Sequence, residues 1–248
     1  MKTTFIILAV WFSVIAYVQA EPQTFSSTKT QTNLLELYTS EGCSSCPPAD
    51  HWLSKLKKDD RLWKEFIPVA FHVDYWNYIG WKDRFSAAEY GQRQRNYAVE
   101  NNLSSVYTPG VMLNGKEWRS LQNKSALSLN QSNLSGKLII GIDGDQLMAD
   151  FVSNKNIKPA FLNVAILGFD LITTVEAGEN NGRKLQHDFV VLGYERTAMN
   201  ASEKGYALTT KIPETIESAP KTGVAAWIDY GKGQTPVQAT GGWLTSIN

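Results

Sequence analysis

The first apolar run lies at the N-terminus. Met1-Lys2 leads into a nearly uninterrupted apolar stretch, Phe5 to Val18, and Val18-Gln19-Ala20 offers the pattern a signal peptidase reads. The stretch is short for a membrane span, and polar sequence follows at once. Residues 1–20 are expected to be a cleaved signal peptide, with an uncleaved anchor as the alternative. Residues 21–33, rich in Gln, Thr and Ser, are expected to be a linker. Beyond them the pattern changes style twice. Leu34 to Tyr38 is a short buried strand by length. Ala49, Trp52, Leu53 and Leu56 fall at i, i+3, i+4 and i+7, which predicts a helix over 49–58, and Pro47-Pro48 suit its first turn. Ile67 to Val73 predicts a strand. Ser86 to Asn102 predicts a helix, with Ser86 and Glu89 spaced as a capping box. Val111 to Leu113 runs into Asn114-Gly115, a hairpin turn, and Ser120 to Asn130 predicts a short helix. After that the helical period disappears. Strands are predicted near 136–151 (turning at Asp143-Gly144), 161–175, 185–194, 206–212 and 223–230.

This order predicts an α/β domain over 34–134, a mixed sheet flanked by helices, followed by an antiparallel all-β, sandwich-like domain over 135–248. Lys plus Arg and Asp plus Glu each number 24. A neutral chain has no global electrostatic pull toward nucleic acid, and with one apolar run no stable membrane insertion is expected once that run is cleaved. Two cysteines are too few for a disulfide-stapled scaffold or a four-thiolate zinc site. The sequons at Asn102, Asn123, Asn130, Asn133 and Asn200 matter only where the source glycosylates.

Those two cysteines are the candidate chemistry. Gly42-Cys43-Ser44-Ser45-Cys46-Pro47-Pro48 follows a strand and opens a helix. A thiolate at a helix N-terminus is stabilised, so Cys43 is expected to be the exposed, acidic nucleophile. Cys46, shielded one turn on, would close back on Cys43 after a mixed disulfide forms. A structural disulfide is a poorer reading, because closing so short a loop removes little chain entropy. A metal pair is the other alternative. Glu41 is expected to oppose the depression of Cys43. Thr108-Pro109, ahead of the 110–114 strand, stands where the thioredoxin superfamily sets a Thr–cis-Pro step facing such a pair.

The segment Tyr38-Thr39-Ser40-Glu41-Gly42-Cys43-Ser44-Ser45-Cys46-Pro47-Pro48-Ala49-Asp50 resembles the signature of the secreted DUF1223 proteins. Phe71-His72-Val73-Asp74-Tyr75-Trp76, Gly80-Trp81-Lys82-Asp83, Arg93-Gln94-Arg95 and Gly178-Glu179-Asn180-Asn181-Gly182-Arg183 resemble further blocks of that family. The resemblance implies a thioredoxin-like fold for the first domain and little about a substrate. Asn77 stands where many members carry an Asp, so no acid role is assigned there.

The expected function is an exported thiol–disulfide oxidoreductase, secreted or periplasmic, acting on protein or peptide thiols and disulfides without a cofactor. Cys43 and Cys46 would be catalytic. Thr108, Pro109, Trp76 and Trp81 would bind substrate, and Asp74 could relay a proton. No metal ligand is assigned. His72 reads as a core histidine, His51, Lys82, Arg93 and Arg95 as solvated, and Glu179 to Arg183 as a self-braced turn. Two alternatives stay open: a Cu(I)-binding module using both thiolates with His72, or a non-catalytic interaction protein whose pair is buried and unreactive.

Overall fold

The computed structural model describes residues 21–119, 127, 129, 134–153 and 159–245. The expected signal peptide, nearly all of the expected 120–130 helix, and the sequons at Asn123, Asn130 and Asn133 lie outside the described residues. The first half supplies β1 (Gln23–Ser26), β2 (Asn33–Thr39), α1 (Pro47–Lys55), β3 (Phe66–His72), α2 (Ala88–Glu100), β4 (Gly110–Leu113) and β5 (Lys116–Glu117). The second supplies β6 (Lys137–Asp143), β7 (Gln146–Val152), β8 (Ala160–Phe169), β9 (Leu171–Thr174), β10 (Lys184–His187) and β11 (Val190–Ala198). It continues with β12 (Asn200–Ser202), β13 (Gly205–Lys211), β14 (Lys221–Tyr230) and β15 (Gln238–Trp243).

These strands make one eight-stranded mixed sheet, β15-β14-β8-β11-β3-β2-β4-β5, a five-stranded antiparallel sheet, β1-β6-β7-β13-β12, and the hairpin β9-β10. The large sheet takes its last four members from the first half and its first four from the second. β11 meets β3 in parallel only at Val190 and Ala70, joined by the Ala70 N–H on the Phe189 carbonyl at 2.8 Å. Pro68, two residues before Ala70 in β3, has no N–H to extend that ladder.

β8 and β14 explain the rest of the packing. Both are buried on both faces, with the two-residue period splitting them between two cores. Leu162, Val164, Ile166, Val224, Ala226 and Ile228 pack on Leu138, Ile140, Leu147 and Phe151 of the five-stranded sheet. The alternate residues Ala165, Leu167, Phe169, Ala225 and Trp227 join Leu34, Leu37, Phe66, Ile67, Phe71 and Tyr97 of the first half. Burial of this extent is the principal stabilising term, at about 25 cal/mol for each Å² of apolar surface removed from water.

The expected fold class is therefore corrected. The chain is mostly β, with two α-helices among the described residues, and the first half is not a free-standing thioredoxin-like α/β unit. The continuous apolar runs at 161–169 and 223–228 are not faces of a separate sandwich. They are strands of the shared sheet, apolar on both sides because both sides are covered. Three smaller expectations also shift. Residues 23–26 of the expected linker pair with β6. The 161–175 run breaks at Asp170, whose φ of 57° turns the chain between β8 and β9. Ser86 does not cap α2; its hydroxyl donates to the Asp83 carbonyl, and Ala87 is the N-cap. Among the described residues no helix is long and apolar enough to cross a membrane.

Candidate functional site

Cys43 and Cys46 lie between β2 and α1, both as free thiols. β2 is buried along its whole length, which fixes where the loop begins. Cys46 is the N-cap of α1, and Pro47 and Pro48 occupy the first helical positions, where a missing N–H leaves nothing unsatisfied. The expectation that Cys43 is exposed is corrected: it is 1% exposed and Cys46 is 0% exposed.

Burial comes from the second half of the chain. The short turn Gly178–Asn180 between β9 and β10 reaches across and clamps the cysteine loop. Asn180, fully buried, donates its amide hydrogens to the carbonyls of Glu41 (2.8 Å) and Cys43 (2.9 Å), and its Oδ1 accepts from Arg183 at 2.7 Å. Glu179 accepts the Ser44 N–H at 2.9 Å, and the Ser44 hydroxyl, followed by this amide, holds its carboxyl below the usual range. Gly178 makes the approach possible. Its φ is +72°, and a Cβ there would stand 3.2 Å from Ile79 Cδ1. The turn is thus not braced by a Glu179–Arg183 pair: Glu179 serves the cysteine loop, and Arg183 braces the turn through Asn180.

The expected wall residues assemble on the other side. The Thr108–Pro109 peptide bond is cis, and Cys43 Sγ lies 3.7 Å from the Thr108 carbonyl oxygen. Trp76 Nε1 donates to Thr108 Oγ1 at 2.7 Å, and Trp81 Nε1 donates to Glu41 Oε2 at 2.8 Å. Asn77 braces the same loop, accepting the Asp83 N–H and donating to Ser86 Oγ. Beside Cys43 a groove is lined by Ser45, Tyr107, Thr108, Pro109, Trp118 and Arg119.

The two sulfurs differ sharply. The Cys46 thiol donates to Cys43 sulfur, and the Ser45 hydroxyl (3.3 Å), the Thr108 side chain and the Ser45 amide add to it; against burial, these hold Cys43 down to about 6. The Ser44 amide is taken by Glu179, and Pro47 and Pro48, the first two helical positions, have no amide hydrogens to offer the pair. Cys46 moves the opposite way, raised far above the ordinary thiol range by burial, by Cys43, and by the charge of Asp50.

Beneath the pair lies a buried polar layer. Asp50 sits one turn after Cys46 on α1. His187 of β10 lies between two carboxylates, with Nε2 3.4 Å from Glu41 Oε1 and Nδ1 3.9 Å from Asp50 Oδ2. Beside it, His72 Nδ1 meets Asp83 Oδ2 at 2.7 Å, and the two rings cross edge to face at 5.0 Å. Burial pushes His72 down, but Asp83 outweighs it and raises His72 to about 9. His72 is thus a core histidine, as expected, and Nδ1 is committed to Asp83. Asp74 lies against α2 at Gly91, whereas the acid bearing on Cys46 is Asp50. Arg93 is not solvated: it is buried against Glu36 at 2.7 Å, while His51 is exposed. The sequence reading gives Asp50, Glu179, Asn180 and His187 no part in the chemistry; the structure sets them around the pair.

The family model described as a protein of unknown function (DUF1223) matches residues 34–229. An X-ray crystal structure of a protein from Agrobacterium tumefaciens is 23% identical with a TM-score of 0.59, covering 90% of this chain and 96% of that one. HBP35 of Porphyromonas gingivalis is 13% identical with a TM-score of 0.58, covering 88% and 76%. At such identities these likenesses show the fold alone. No curated protein matches the chain in sequence.

Proposed function

We propose that this chain, which belongs to the DUF1223 family, is an exported thiol–disulfide oxidoreductase acting on protein or peptide substrates. Cys43 is the nucleophile and Cys46 resolves the mixed disulfide. The observation that carries the reading is the asymmetry of the pair. One sulfur is held as a thiolate near neutral pH by four hydrogen bonds, beside a groove, and the other is held protonated behind it. Pro109 and Thr108 border that groove, Trp76 holds Thr108, and Trp81 holds Glu41 behind the loop. Export rests on the N-terminal segment, whose leader-like pattern implies a compartment where disulfides persist.

The test is insulin reduction, or oxidation of a reduced peptide, by wild type, Cys43→Ser and Cys46→Ser. Wild type is expected to turn over and Cys43→Ser to be inert; equal rates refute the reading. One observation favours a second reading, a non-catalytic interaction protein: Cys43 is 1% exposed. Under that reading small thiol reagents leave Cys43 unlabelled in the native chain.

A further inference from the structure

We propose that Asp50 and His187 form the route by which the proton of Cys46 leaves during resolution, away from the substrate groove; this rests on the oxidoreductase reading above. Asp50 lies one helical turn beyond Cys46, and its charge bears on that thiol. His187 continues the path with one ring nitrogen toward Asp50 and the other toward Glu41. Neither ring nitrogen has a hydrogen-bond partner, nor does Glu41 Oε1, although all three are buried. Buried polar atoms of this kind are costly unless they serve something. Asp50 and His187 also line a surface depression with Pro47, His51, Lys184, Leu185 and Gln186. That depression and the groove beside Thr108 and Pro109 have no lining residue in common. Solvent therefore reaches the far end of the path without passing the substrate.

In the reductive direction the step balances as follows. A substrate disulfide has been opened by the Cys43 thiolate, leaving a Cys43–substrate mixed disulfide and one substrate thiolate. The Cys46 S–H proton passes to the Asp50 carboxylate. The Cys46 thiolate attacks Cys43 Sγ, the Cys43–Cys46 bond forms, and the Cys43–substrate bond breaks. The second substrate sulfur leaves as thiolate; the cysteine pair has lost two electrons and the substrate disulfide has gained them. Asp50, which itself lines the depression, then gives its proton to water there, with His187 Nδ1 beside it as a holding site. Oxidation of a substrate dithiol runs the same path backward.

The experiment treats the reduced full chain with an equimolar aromatic disulfide that releases coloured thionitrobenzoate. A first phase reports attack by Cys43, and a second reports attack by Cys46 on the mixed disulfide. The titratable groups around Cys46 are Cys43, Asp50, Glu41, Tyr75, His72, Asp83 and His187, so the pH profile is compared between variants rather than read alone. Asp50→Asn is expected to keep the first phase and slow the second on the order of a hundredfold near neutral pH. The gap should close at high pH, where hydroxide takes the proton directly. His187→Asn should slow the second phase by a smaller factor with the same pH trend. A second phase unchanged in both variants overturns the relay. Where a variant loses the first phase too, the wild-type second phase decides: slower release in heavy water supports the relay, and equal rates overturn it. Absence of a second phase in wild type, matching Cys46→Ser, instead overturns the oxidoreductase reading itself.

Discussion

Replacing Asn180 with alanine tests whether the second half of the chain holds the cysteine loop. The side chain gives up two donated hydrogen bonds, to Glu41 O and Cys43 O, and one accepted from Arg183. The three losses are unequal. Arg183 is exposed and finds water. The Cys43 carbonyl still accepts the Cys46 N–H at 3.2 Å. The Glu41 carbonyl, on a fully buried residue, is left with no partner. An orphaned buried acceptor costs about 1–3 kcal/mol, and an ordinary hydrogen bond contributes about 1 kcal/mol net. Asn180→Ala should therefore lose about 2–4 kcal/mol, a large share of the roughly 5–15 kcal/mol typical of a folded domain. Urea unfolding followed by tryptophan fluorescence measures it. Asn180→Asp sharpens the test: it keeps a partner for Arg183 but brings a carboxylate against two carbonyls, so its loss should be at least as great. A loss under about 0.5 kcal/mol in both variants would refute the clamp.

Three further outcomes follow from the same geometry. The Cys46 thiol does most to hold Cys43 down; Cys46→Ala should raise the pH midpoint of Cys43 alkylation above about 6, and Cys46→Ser, which keeps a donor, should raise it less. His72 is raised from 6.5 to about 9 in the fold, so its contribution to stability is complete below pH 6.5 and lost as pH rises through 9; urea midpoints should fall across that window, and Asp83→Asn should flatten the slope. Arg93→Met leaves the Glu36 carboxylate buried without its partner and should cost about 3–5 kcal/mol, partly recovered by adding Glu36→Gln, as measured by thermal unfolding.

Local structure was legible because it is written in short range. The period over Ala49 to Leu56, the prolines at 47 and 48, and the Asn114-Gly115 turn each act within a few residues, and each appears in the structure. The cysteine motif and the Thr108-Pro109 step carried the centre of the site for the same reason. What escaped was set by long-range partners. Nothing near Val190 announces that β11 will lie beside β3, so the sheet looked like two separate layers. Residues 23–26 carry too few apolar positions to read as a strand; β6 supplies the ladder that makes them one. Glu179 and Arg183 looked like each other's partners because only local partners can be read from a turn. Asp50 and His187 come together from elements 137 residues apart, and a carboxylate on a helix face is ordinarily solvated.

A chain emerging from its N-terminus presents Cys43 137 residues before Asn180. Through that interval the Ser44 amide has no Glu179, β3 has no neighbour in β11, and nothing covers the sulfurs from the far side. The two thiols then lie in an open loop. Their enclosure is complete only once residues 178–190 have closed over the loop, so the maturation of the site is timed by the last half of the chain to be made.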